Sequence, residues 1–223
     1  LHKDGEDRLQ RDSTYHQSGG QLLLDDLGRW GNAGNRLQTA EAMAAYFQSR
    51  ITFKAFVLTP GLRLERIRQD RTRWETQPSR TTDPADRSPG NLRDQRRNKV
   101  QVLLPGVGFL WPLTPTVSVV AGVHKGFTTP SNAPGVKPET ALNYELGFRS
   151  SGPTAIEAIY FLSDYDNLLG QCTASSGAQC TPGDSFNGNA ATVQGLELTA
   201  QREYATQTGL TFSVNLNYTY LDG

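Results

Sequence analysis

Apolar and polar residues alternate along much of this chain. From 137 to 150 the sequence reads K-P-E-T-A-L-N-Y-E-L-G-F-R-S. Leu142, Tyr144, Leu146 and Phe148 fall on one side, and Ala141, Asn143, Glu145, Gly147 and Arg149 on the other. From 209 to 221 the pattern is cleaner: Leu210, Phe212, Val214, Leu216, Tyr218 and Tyr220 alternate with Thr211, Ser213, Asn215, Asn217 and Thr219. Successive side chains of a strand point to opposite faces, so each segment has one greasy and one wet face. The pattern predicts about eight strands, near 40–53, 55–68, 99–111, 116–127, 138–150, 154–166, 190–202 and 209–221. The first alternates poorly, and its run E-A-M-A-A-Y-F fits a turn of helix equally well.

The connections between these segments alternate in length. Those at 52–54, 112–115, 151–153 and 203–208 are short; those at 72–98, 128–137 and 167–189 are long. Short turns at one end and long loops at the other characterise an outer-membrane barrel, and a soluble sandwich has no reason to sort them so. A barrel shows its greasy face to lipid; a sandwich buries it. The expectation is an all-β, antiparallel transmembrane β-barrel, with Trp111, Phe148, Tyr218 and Tyr220 near the membrane interfaces. The first 37 residues are polar and read as the end of an outer loop, and 38–223 as the barrel part.

Composition narrows the chemistry. Lys+Arg 22 against Asp+Glu 22 leaves no net charge, so bulk charge points to no nucleic-acid partner. No run approaches the ~20 apolar residues of a membrane helix, which leaves barrel strands of about 9–11 residues open. Charge is uneven, however. From Arg63 to Lys99 ten arginines and one lysine face six acidic residues, a net charge of +5. Arginine presents a planar fork of donors suited to carboxylates and phosphates. This segment reads either as a basic outer loop that attracts an anionic ligand, or as a solvated loop touching lipopolysaccharide phosphates. His2, His16 and His124 are scattered without metal-ligand spacing. Neither a nucleophile elbow nor a phosphate-binding glycine loop is present. The expectation is no enzyme, no metal site and no cofactor. The two cysteines, Cys172 and Cys180, stand in a Gly/Ser/Thr-rich loop. They read as two free thiols, or as a small disulfide-closed loop in an oxidising compartment.

Six stretches, in order, resemble the barrel of TonB-dependent outer-membrane receptors, particularly the ferric citrate and related ferric-siderophore branch. They are L-T-P-G-L-R-L-E at 58–65, L-P-G-V-G-F at 104–109, A-G-V-H-K-G-F-T-T-P at 121–130, K-P-E-T-A-L-N-Y-E-L-G-F-R at 137–149, Y-F-L-S-D-Y-D-N-L at 160–168 and F-N-G-N-A-A-T-V-Q-G-L-E-L at 186–198. The resemblance implies a plugged 22-stranded barrel in the outer membrane of a Gram-negative bacterium. This chain would supply about eight of those strands, with the plug domain absent. It implies active import of a ferric chelate, with iron present only in the cargo, driven by TonB acting on the plug, and contact with outer-membrane lipid and lipopolysaccharide.

Within that reading the candidate ligand residues are Arg93, Arg96 and Arg97 at the outer end of the third strand, and His124 with Lys125 at that of the fourth. Three rivals compete. A passive porin or adhesin-type barrel fits the loop pattern equally. A membrane lipase or protease needs a catalytic pair that the sequence does not show. A soluble β-sandwich requires the 210–220 face to be buried.

Overall fold

The computed structural model describes residues 1–76, 83–130, 135–173, 175–176 and 183–223. Strands dominate it: β1 (His2–Gln10), β2 (Thr14–Ser18), β3 (Gln21–Asp26), β4 (Gly34–Gln48), β5 (Ile51–Phe53), β6 (Phe56–Trp74), β7 (Leu92–Pro112), β8 (Val117–Thr128), β9 (Glu139–Ser151), β10 (Thr154–Asp166), β11 (Leu169–Gln171), β12 (Ser185–Asn187), β13 (Ala191–Ala205) and β14 (Thr211–Asp222). A 3-10 turn at Pro89–Asn91 is the only helical element among the described residues. One antiparallel sheet runs in the order β1-β4-β6-β7-β8-β9-β10-β13-β14, with β5 paired to β6; β2–β3 and β11–β12 are separate hairpins. This is the up-and-down meander expected of a barrel wall. All eight predicted segments are strands, including the ambiguous Ala-rich one, which lies in β4.

Two expectations are corrected. Residues 1–37 are not only loop: β1 pairs with β4 from His2↔Ala42 to Gln10↔Gly34. The segment 72–98 is not only loop: β6 runs on to Trp74 and β7 begins at Leu92. The reason is the same in both places. These strand ends are polar on both faces, so they lack the alternation by which a strand is read from sequence.

The chain divides into two compact units. Unit 2 comprises 44–65, 102–131 and 136–223. Its meander is in regular register: Ala121↔Leu146, Leu146↔Tyr160, Tyr160↔Leu196 and Leu196↔Tyr220 all fall on the apolar face. That face is uncovered. On the central strand β9, Leu146 is 57% exposed and Phe148 48%. A sandwich would bury such residues; a lipid-facing wall leaves them bare. The turns are tight. Thr114 Oγ1 accepts the Val117 N–H at 3.0 Å, and Thr206 N–H donates to Leu210 O at 2.8 Å. Lys54 turns β5 into β6 with φ +50°.

Two long connections of unit 2 are tied together by Asn187. Its Oδ1 accepts the Lys137 N–H at 2.8 Å, and its Nδ2 donates to Lys137 O at 2.9 Å and Asn167 O at 3.0 Å.

Unit 1 comprises 1–43, 66–101 and 132–135. Ion pairs across the sheet hold it, including Lys3–Glu41 at 2.6 Å and Arg36–Glu6 at 2.9 Å. The 83–91 segment is pinned to it. Asn35, 2% exposed, donates to Pro84 O at 2.8 Å and accepts from Arg87 Nε at 2.8 Å, while Arg87 lies over the Trp74 ring. Gly31, with φ +93°, lies under this segment; a Cβ there would stand 2.0 Å from Pro84 O.

Candidate functional site

Each unit has its own polar cluster. In unit 1 the odd-numbered residues of β6 and the even-numbered residues of β7 share a face, which collects Gln69, Arg71, Arg73, Asp94, Arg96 and Asn98. Arg73 grips Asp94 Oδ2 with Nε at 2.8 Å and a terminal nitrogen at 2.5 Å; Arg96 Nε stands 3.6 Å from Oδ1. Arg71 is 7% exposed. Gln69 Oε1 and Asn98 Nδ2 are buried without a hydrogen-bond partner among the described residues. Burial by itself raises the Asp94 pKa. The hydrogen bond and charge of Arg73, then the charges of Arg96 and Arg71, outweigh it and hold the carboxyl below its ordinary value. Guanidiniums concentrated beside buried amides can bind carboxylate or phosphate oxygens in a fork geometry.

In unit 2 the polar face of β6–β9 forms a concavity of about 560 Å3, bordered by Gln48, Thr59, Arg63, His124 and Glu145 over a floor of Gly61, Gly106, Gly108 and Gly122. The ladder sets His124 opposite both Gly106 and Asn143, and Gly122 opposite Glu145. A second concavity of about 340 Å3 is lined by His124, Asn143, Glu145, Glu157, Ser163 and Glu197. Glu157 is paired with Arg149; Glu145 and Glu197 have no ion-pair partner among the described residues. This wall accepts hydrogen bonds and attracts cationic groups.

The structure separates the residues singled out from sequence. Arg93 and Arg97 lie on the opposite face of β7 from Arg96, and Arg97 is paired with Asp70 at 2.6 Å. His124 lies on the polar face of β8 and Lys125, its neighbour, on the apolar one. Arg96 joins the Arg73–Asp94 cluster of unit 1, where one cavity also touches Arg97, and His124 joins the glutamates of unit 2, where the first concavity also touches Lys125. Arg71, Arg73, Asp94, Glu145, Glu157 and Glu197 were missed as site residues. For Arg73 with Asp94 and for Glu157 with Arg149 the signal is opposite charge at matching ladder positions, which appears only once the register is known. Cys172 is buried and disulfide-bonded, its N–H donated to Asp184 O at 2.8 Å. Cys180 lies outside the described residues.

The sequence matches the family described as TonB dependent receptor-like, beta-barrel, over residues 4–223. The chain belongs to the TonB-dependent receptor β-barrel family. The match takes in β1, in line with its place in the main sheet. Solved structures of the same fold include the FrpB iron transporter of Neisseria meningitidis (F3-3 variant), 23% identical over 84% of this chain and 26% of that one, TM-score 0.57. The ferric yersiniabactin uptake receptor FyuA of Yersinia pestis is 19% identical over 90% of this chain and 30% of that one, TM-score 0.63. The ferric citrate transporter FecA is 21% identical over 92% and 29%, TM-score 0.61. This chain therefore spans less than a third of the length of these receptors. No curated protein sequence matches it.

Unit 1 of this receptor barrel should be acid-sensitive. The carboxyls of Glu6, Asp7, Glu41, Asp70 and Asp94 are all held below their ordinary values by arginine or lysine partners. A depressed folded-state value stabilises the fold above the ordinary carboxyl range, and that stabilisation is lost as pH falls through the depressed values. Hydrogen exchange, corrected for intrinsic rates, should show β1 and the adjoining ends of β4, β6 and β7 losing protection below about pH 4. The central strands β8–β10 should stay protected. Equal loss in both units would show that these pairs contribute nothing.

Proposed function

We propose that this chain is part of a receptor that imports a ferric chelate across the outer membrane of a Gram-negative bacterium. Membership of the receptor barrel family is the observation that carries the reading, and the bare apolar face of unit 2 supports a place in lipid. The polar faces line the passage. Outer segments bind the chelate, and TonB supplies the work by pulling on a plug. The barrel makes and breaks no bonds, and iron enters only as cargo. Among chelates, the arginines of unit 1 favour one rich in carboxylates, such as ferric citrate, because each guanidinium can take two carboxylate oxygens. Arg96, with Arg71 and Arg73 beside it, heads the candidates for ligand contact, and His124 is a second contact on the other polar wall. The cysteine loop, closed by Cys172 and Cys180, stiffens an outer connection.

The test is uptake of radiolabelled ferric citrate and ferric siderophores by cells that depend on the full-length protein. Uptake should require both the protein and TonB. Replacing Arg73 and Arg96 with glutamine should weaken citrate-chelate binding by about tenfold or more, since hydrogen bonds to charged groups contribute about 1.5–3 kcal/mol each. Passive, TonB-independent entry would defeat the importer reading. Unchanged affinity in the double variant would remove only this arginine cluster from it.

A further inference from the structure

The chain contains a single Asn-Gly dipeptide, Asn187–Gly188, at the end of β12. An asparagine is chemically exposed there, because a following glycine has no Cβ to keep its backbone nitrogen away from the side-chain amide carbon. In this structure both reacting groups are tied. Gly188 N–H donates to Leu168 O at 2.6 Å. The Asn187 amide is engaged in three bonds, accepting from Lys137 N–H and donating to Lys137 O and Asn167 O. Its side chain thus pairs with Lys137 as the backbone of a strand would, and it ties the connection after β8 to the one after β10.

Glu139 adds a further tie between the same connections, its Oε2 accepting the Leu169 N–H at 2.8 Å. Asn167 has φ +55°, a left-handed conformation unfavourable for a residue with a side chain, and its carbonyl is one of the two that Asn187 holds. The β11–β12 hairpin, three residues a strand, stands apart from the main sheet. So short a hairpin is not stable by itself; these bonds mount it on the wall. Asn187 and Gly188 are half-buried, so water reaches them.

We propose that Asn187 is a deamidation site that the closed junction protects, and that its conversion to aspartate or isoaspartate releases the β11–β12 hairpin from the wall. When the junction opens, the Gly188 nitrogen gives its proton to hydroxide and attacks Asn187 Cγ. A new Cγ–N bond forms and the Cγ–Nδ2 bond breaks. Ammonia leaves with a proton from water, which restores the hydroxide. Water then adds to one of the two carbonyls of the succinimide and opens the ring. The carboxylate produced accepts hydrogen bonds but donates none. It cannot replace the bonds given to Lys137 O and Asn167 O, and it sets a negative charge against both oxygens. Opening of the junction thereby becomes one-way.

The experiment incubates the full-length protein in detergent micelles at mildly alkaline pH and follows residue 187 by peptide mass spectrometry, with the guanidinium-unfolded protein as reference. Conversion should be at least about tenfold slower in the folded protein. Glu139→Ala removes one tie without touching Asn187 or Gly188. It should speed conversion in the folded protein by about threefold or more and leave the unfolded rate unchanged. Gly188→Ala should suppress conversion in both states while keeping the junction, since the added Cβ meets Leu168 O at 3.5 Å, an ordinary contact. Asn187→Asp should raise hydrogen exchange in β11 and β12 by about tenfold or more at neutral pH, with β9 and β10 still protected. The parent protein measured before and after conversion gives the same reading without a variant. Equal rates in the folded and unfolded protein, or no effect of Glu139→Ala, overturn the gate. A converted protein whose hairpin exchanges as slowly as before overturns the release, and an Asn187 that survives in the unfolded chain overturns the chemistry.

Discussion

Gly147→Ala should prevent assembly of the barrel or destabilise it by about 3 kcal/mol or more, at the upper end of overpacking costs. Gly147 lies in the middle of β9, paired with Val120 on one side and Ile159 on the other. A Cβ added there would stand 2.0 Å from Ala158 O and 2.7 Å from Ile159 Cδ1. The closer obstacle is backbone of a strand hydrogen-bonded into the sheet, so it cannot swing aside as a side-chain tip can. Gly195→Ala should behave alike, with Tyr220 O 2.3 Å and the Phe161 ring 2.8 Å from the added carbon. Gly126→Ala is the control, because its nearest neighbour is the Asn143 amide at 3.5 Å, an ordinary contact. Folded barrels migrate differently in detergent gels before and after boiling. The heat-modifiable band should vanish or shrink for the first two variants and persist for the third. A Gly147→Ala protein as stable as the parent would show that the strands can part there at little cost.

Asp94→Ala should cost about 2–3 kcal/mol. It removes the only ion-pair partner of Arg73 among the described residues and one partner of Arg96, while leaving their side chains about four-fifths covered. Breaking a fully buried pair costs about 3–5 kcal/mol, because the survivor stays charged and poorly solvated. Residual exposure of both partners places this pair below that range. The loss should be local, seen as faster hydrogen exchange in the ends of β6 and β7 at neutral pH. Asp94→Asn should recover part of it, since an amide oxygen still accepts from Arg73. If Asp94→Ala proved neutral and Arg73→Ala equally so, the pair would be an ornament of the surface.

The two polar clusters differ in how legible they were. The wall carrying Glu145 was visible as the wet face of β9, because a period of two needs no partner to be recognised. Which residues share that wall was not visible. His124 and Lys125 are neighbours in sequence and occupy opposite faces, and Arg96 parts from Arg93 and Arg97 for the same reason. Proximity along a strand is a poor guide to a site; only alternate residues share a face, and the rest of the site comes from other strands. The basic segment was read as loop because arginines and acids crowd it. Most of those arginines are strand residues, and two of them meet an acid across the sheet, Arg73–Asp94 and Arg97–Asp70.

The sequence by itself determined the strands of the wall, their order as a meander and the greasy-out, wet-in character of unit 2. All of these follow from local alternation and from turn length. The tertiary structure alone decided three things: that β1 belongs to the main sheet, that β6 and β7 extend well past the apolar band, and which charges meet. Those outcomes depend on register, and register is fixed by pairing between segments distant in the chain. The cost of leaving β1 unpaired or Arg73 unmatched is not written in either segment alone.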